Sequence, residues 1–128
     1  MSISAFVEAA VPGPLNRSVI ERVCAEEKLS LFEAYDAFAL DVAEKYSTGV
    51  YSWHHGDDAM NSLFTYAHAL SDSGLPAFAF DVYCAFDEGE YRPEGEALSM
   101  QLVLDALKKK KEPNQTPEPT APGGRGSS

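Results

Sequence analysis

Residues 30 to 46, SLFEAYDAFALDVAEKY, constrain the fold more than any other stretch. Leu31, Tyr35, Phe38 and Val42 recur at steps of four, three and four, which sets them on one face of a helix; Phe32, Ala39, Ala43 and Tyr46 widen that face. Ser30 followed by Glu33 reads as a capping box at the start. Gly49 suits the left-handed residue that closes the other end. One neighbour cannot cover an apolar face this broad, so this helix must contact several others.

Those neighbours are legible on either side. Ser18 and Glu21 repeat the capping pattern and predict a helix to about Lys28 carrying Val19, Ile20, Val23 and Cys24. Residues 2 to 10 suit a short helix or a strand, and VPGP at 11 to 14 ends either one. Met60, Leu63, Phe64, Ala67 and Leu70 predict a helix from about Asp58 to Ser71, preceded by an extended VYSW at 50 to 53. Pro76 fits the first position of a further helix with Phe78, Val82, Cys84 and Phe86 on it, stopping near Asp87 with Gly89 as its cap. Residues 87 to 96 read as a polar loop. A last helix follows through Met100, Val103, Leu104 and Leu107, ending in Lys108 to Lys111 where the helix dipole favours cations.

The expected fold is all-α: a single compact domain of about five helices over residues 1 to 111. A chain of 128 residues with 45% hydrophobic content has room for one packed core. From Glu112 the sequence EPNQTPEPTAPGGRGSS is too poor in apolar residues to offset the entropy of ordering, so residues 112 to 128 are expected to form a disordered low-complexity tail.

Charge narrows the partners. Residues 1 to 107 contain 18 acidic and 5 basic residues, a net charge of −13. Such a body repels phosphate backbones, so no nucleic-acid partner is expected, and it attracts basic proteins. No segment has the roughly 18 consecutive apolar residues of a membrane span, and no basic residue precedes the short apolar run of a signal peptide at the N-terminus. These features lead to the expectation of a cytoplasmic protein with no membrane partner. Cys24 and Cys84, among apolar neighbours on expected helices, should be buried free thiols.

Two stretches hold candidate site residues. The first is WHHGDDAMN, residues 53 to 61. Adjacent histidines point apart in most backbones, and the helical pair of histidines at i and i+4 that binds zinc is absent. One bland reading has Gly56 turn the chain and Asp58 cap the next helix. Against it stands a polar site of His54, His55, Asp58, Asn61 and His68, since Asn61, Thr65 and His68 lie at helical spacing. The second stretch is the acidic loop: Asp87, Glu88, Glu90, Glu94 and Glu96 fall within ten residues around Tyr91 and Arg92. Its spacing does not fit a calcium loop. It reads as a solvated connection or as a contact surface for cations, with Tyr91 as a potential anchor. No nucleophile elbow, Cys–His signature or phosphate-binding glycine loop is present. Neither catalysis nor a bound metal or cofactor is expected.

The segments YSTGVYSWHHGDDAMNSLF and LPAFAFDVYCAFDEGEY resemble a pattern found in small uncharacterised bacterial proteins, some of them like the immunity proteins of contact-dependent or secreted toxin systems. The resemblance spans about residues 30 to 92 and implies a toxin-neutralising role without catalytic residues. The expected function is thus that of a small acidic binding protein that masks a basic surface on a partner protein through Asp87, Glu88, Glu90, Tyr91, Glu94 and Glu96. The alternatives are a metal-binding protein or hydrolase built on the His54–Asn61 cluster, and a helical subunit of a larger assembly.

Overall fold

The computed structural model describes residues 1–111, which are all-helical. Six α-helices follow in order: α1 (Ile3–Ala9), α2 (Arg17–Glu27), α3 (Leu31–Ser47), α4 (Trp53–Thr65), α5 (Ala77–Gly89) and α6 (Gly95–Lys111). A π-helical turn, Tyr66–Leu70, extends α4. The expected tail, residues 112 to 128, lies outside the described residues.

Helix α3 is the centre that its sequence demanded. Tyr35, Phe38, Ala39, Val42 and Ala43 are fully buried, and α3 touches every other α-helix. The capping box is in place: Glu33 N donates to Ser30 Oγ at 3.2 Å and Ser30 N donates to Glu33 Oε1 at 2.9 Å. Gly49 adopts the left-handed φ of 84° just beyond the end. Phe32 departs from the expected stripe; it is 48% exposed, on the edge of the face.

The structure corrects several boundaries. There are six helices and not five, because residues 3 to 9 form a helix, capped by Ser2 Oγ accepting from Ala5 N at 3.1 Å. Phe6 from this helix meets the Phe38 ring edge-on at 4.8 Å. In α2 the cap is Asn16, whose Oδ1 accepts from Val19 N, and Ser18 donates to that same oxygen. Asparagine caps as well as serine does, and the earlier start adds Arg17 and Ser18 to the helix. Pro76 is the N-cap of α5 and not its first helical residue. Proline offers no capping side chain, and Asp36 of α3 substitutes by accepting from Ala79 N at 3.1 Å.

Gly89 was expected to cap α5 but is its last residue, packed against Gly95 at the start of α6. A Cβ on either glycine would collide with the backbone of the other, so only glycine allows the helices to meet so closely. Above this contact Ser99, fully buried, donates to Ala85 O at 2.8 Å and accepts from Trp53 Nε1 at 2.8 Å. One serine thereby joins α4, α5 and α6. Cys24 and Cys84 are free thiols as expected, although half-buried.

Candidate functional site: an acidic and aromatic face on α4 and α5

The histidine–aspartate stretch does not precede a helix; it is the first two turns of one. Ser52 caps α4, its Oγ accepting from His55 N at 3.1 Å. Asp58 therefore caps nothing, and Gly56 turns nothing. Gly56 is buried beneath the Phe86 ring, where a Cβ would lie 2.6 Å from the ring. The chain before it, expected as extended, is the turn that closes α3. Sequence reasoning passed over Ser52 because the two aspartates that follow are equally common capping residues.

Continuing the helix backwards sends the two histidines different ways. His55 lies on the Tyr51 ring, 4.2 Å between centroids, with Nε2 3.7 Å from Glu8 on α1. His54 is exposed and meets Trp53 edge-on. Along the same face as His54 come Asp58, Asn61 and, in the π-helical turn, His68. At 1.5 Å per residue the fourteen steps from His54 to His68 span about 21 Å. The stripe is real, but its histidines cannot converge on one ion. Among the described residues no group of three or more His, Cys, Asp or Glu side chains is arranged to hold a metal.

The acidic stretch also divides. Asp87 and Glu90 turn toward α4. Glu88 faces α6, lining a small hollow of about 300 Å³ with Asp105 and Lys109, and approaches Arg92 at 3.6 Å. Glu94 is exposed in the connection and Glu96 is exposed in the first turn of α6. Tyr91 is 78% exposed.

What the fold brings together joins parts of both stretches. Asp57 is half-buried within hydrogen-bonding reach of the Glu90 carboxyl, with Asp58 and Asp87 nearby. Burial, followed by these negative neighbours, pushes the Asp57 carboxyl up to about 7. Two helix turns along, Phe64 of α4 stacks on Tyr83 of α5, rings 4.1 Å apart and 9° from parallel. His68 also lies against Phe64, ring centroids 4.1 Å apart, and Phe80, 43% exposed, flanks Tyr83. Burial first, then Asp87, pushes the Tyr83 hydroxyl up, so it remains protonated. The result is a ladder of rings leading to a knot of four carboxyl groups. Asp57, Phe64 and Tyr83 were not singled out as partner contacts, although 57, 61, 64 and 68 along α4 and its π-helical extension, and 80, 83, 87 and 90 along α5 and its C-cap, each mark one helix face.

The raised carboxyl has a consequence for pH. The folded protein holds a proton on Asp57 that the unfolded chain releases near 3.8. The stability tied to this proton is complete below that value and is lost as pH rises to about 7. Asp57→Asn keeps the shape without the charge. Its melting temperature should rise relative to that of the unsubstituted protein on going from about pH 4 to about pH 8. A difference that does not vary with pH would contradict the crowding.

Comparison with known proteins gives no family model, curated relative or solved structure that matches this chain. Among the described residues no helix is long and apolar enough to cross a membrane.

Proposed function

We propose that this protein binds a basic protein partner and masks its cationic surface with the face formed by α4 and α5. The observation behind this reading is the convergence of Asp57, Asp58, Asp87 and Glu90 beside the Phe64–Tyr83 stack. Four carboxyl groups so close repel one another, a cost in the free protein that a lysine or arginine would relieve. Half-buried rings beside acids suit the same side chains, since a guanidinium or ammonium group is attracted to an aromatic face and to a carboxylate alike. A toxin neutralised by this contact is the partner that the sequence resemblance implies.

The charges would act mainly on encounter and the rings on residence. Partner captured on the intact protein provides the material for binding kinetics at two salt concentrations. Association should slow with salt, because surface charges are screened beyond about 8 Å at physiological ionic strength. Glu90→Lys should lower the association rate more than it raises dissociation, whereas Tyr91→Ala should act mainly on dissociation. An association rate insensitive to salt and to Glu90→Lys would exclude electrostatic masking.

A further inference from the structure

The connection between α5 and α6, residues 90 to 94, is exposed along its whole length. Its backbone bonds are local: Glu90 N donates to Asp87 O at 3.2 Å and Gly95 N donates to Arg92 O at 3.1 Å. Arg92 approaches Glu88 at 3.6 Å, but that carboxylate belongs to the helix that the connection has just left. Among the described residues one side-chain tie reaches a different helix. It is the Glu90 carboxyl, within hydrogen-bonding reach of Asp57 on α4. Tyr91, 78% exposed, is the next residue.

Two carboxyl groups at this separation attract each other only while a proton lies between them. Without it, two negative charges face one another. The surroundings supply no other counter-charge. Asp87 of α5 and Asp58, beside Asp57 on α4, add negative charge. The Tyr83 hydroxyl, on the α5 side, stays protonated through burial and its acidic neighbours. His54 stands one turn before Asp57 on α4. Among the described residues none of these four acids forms an ion pair. The tie between Asp57 and Glu90 therefore changes sign with the proton. Burial, followed by the negative neighbours, pushes the Asp57 carboxyl up to about 7, so the tie is attractive below that pH and repulsive above it.

The fold confines the response. Gly89 and Gly95 pack against each other at the two ends of the connection, and Ser99 of α6 donates to Ala85 O of α5 just above them. The residues between the glycines can move while the helices stay in place. We propose that Asp57 and Glu90 form a proton-operated latch, which holds residues 90 to 94 and the exposed Tyr91 against α4 while the pair shares a proton and lets them go when the proton leaves. The latch involves no partner, so it stands or falls independently of the masking of a cationic surface.

The test is carbon-detected NMR relaxation on the full chain, which does not depend on exchangeable amide protons, at about pH 5.5 and about pH 8.5. Order parameters of residues 90 to 94 should lie near the rigid value of roughly 0.85 at the lower pH and fall below about 0.6 at the higher. Those of α5 and α6 should not change. Asp57→Asn replaces the proton with an amide that donates to Glu90 at either pH, so the connection should stay ordered at both. Glu90→Gln donates in the reverse direction to the same effect. Its position is exposed, so the test survives even if Asp57→Asn does not fold. The latch is overturned if the unsubstituted connection is equally ordered at both pH values. It is equally overturned if the Glu90→Gln connection loosens as the unsubstituted one does, or if the loosening spreads through α5 and α6.

Discussion

Phe38→Ala should destabilise the fold by about 3 to 5 kcal/mol, a large part of the roughly 5 to 15 kcal/mol that holds a domain of this kind together. The ring is fully buried in the helix that touches all the others, and Phe6 packs edge-on against it. Its neighbours therefore belong to different elements. No single side-chain rotation closes the hole, and closing it by backbone movement would disturb several helix contacts at once. The size of the loss depends on how well a site collapses, and here collapse is blocked from several sides. Urea denaturation of the two proteins measures the effect. A loss below about 1 kcal/mol, ordinary for a surface substitution, would mean that α3 is not the hub described.

Gly95→Ala sets two effects of opposite sign against each other. Within a helix, alanine is favoured over glycine by roughly 0.5 to 1 kcal/mol. At Gly95, however, the added methyl meets the Gly89 carbonyl group, and those atoms are backbone with no rotamer to adopt. The ends of α5 and α6 must move apart, straining the Ser99 bonds to Ala85 and Trp53 and the Tyr46 bond to Glu96. Overpacking alone costs about 1 to 3 kcal/mol, so the clash outweighs the propensity and net destabilisation is expected. A melting temperature equal to or above that of the unsubstituted protein would show that the glycines are not in contact. The same displacement would move Glu90, one residue past the end of α5, away from Asp57 and loosen the acidic knot.

Much of the architecture was readable from period and punctuation. The apolar stripe of residues 31 to 46 identified the central helix, and Ser30 with Glu33 fixed its start because both halves of the capping box lie in one short stretch. The start of α4 was misread for a physical reason: Ser52, Asp57 and Asp58 are all good caps, and only the Phe86 ring lying over Gly56 shows that the helix is already under way there. The short α1 has too few residues to show a clear period. The candidate site was half legible. The acids at 87 to 96 were noticed as a group, but which of them turn toward α4 depends on the helical phase of α5, which runs on to Gly89. The link between Asp57 and Glu90 spans 33 residues of sequence, and no local pattern could announce it.

The chain has one tryptophan, and the bond from its indole to Ser99 ties it to the junction of α4, α5 and α6. Its ultraviolet emission therefore reports on this one corner, whereas circular dichroism averages over every helix. Unfolding followed by both signals at once becomes a measure of cooperativity. Coincident transitions would mean that the junction and the helices are lost together, and earlier loss of the indole signal would mark the corner beside the acidic face as the first part of the fold to open.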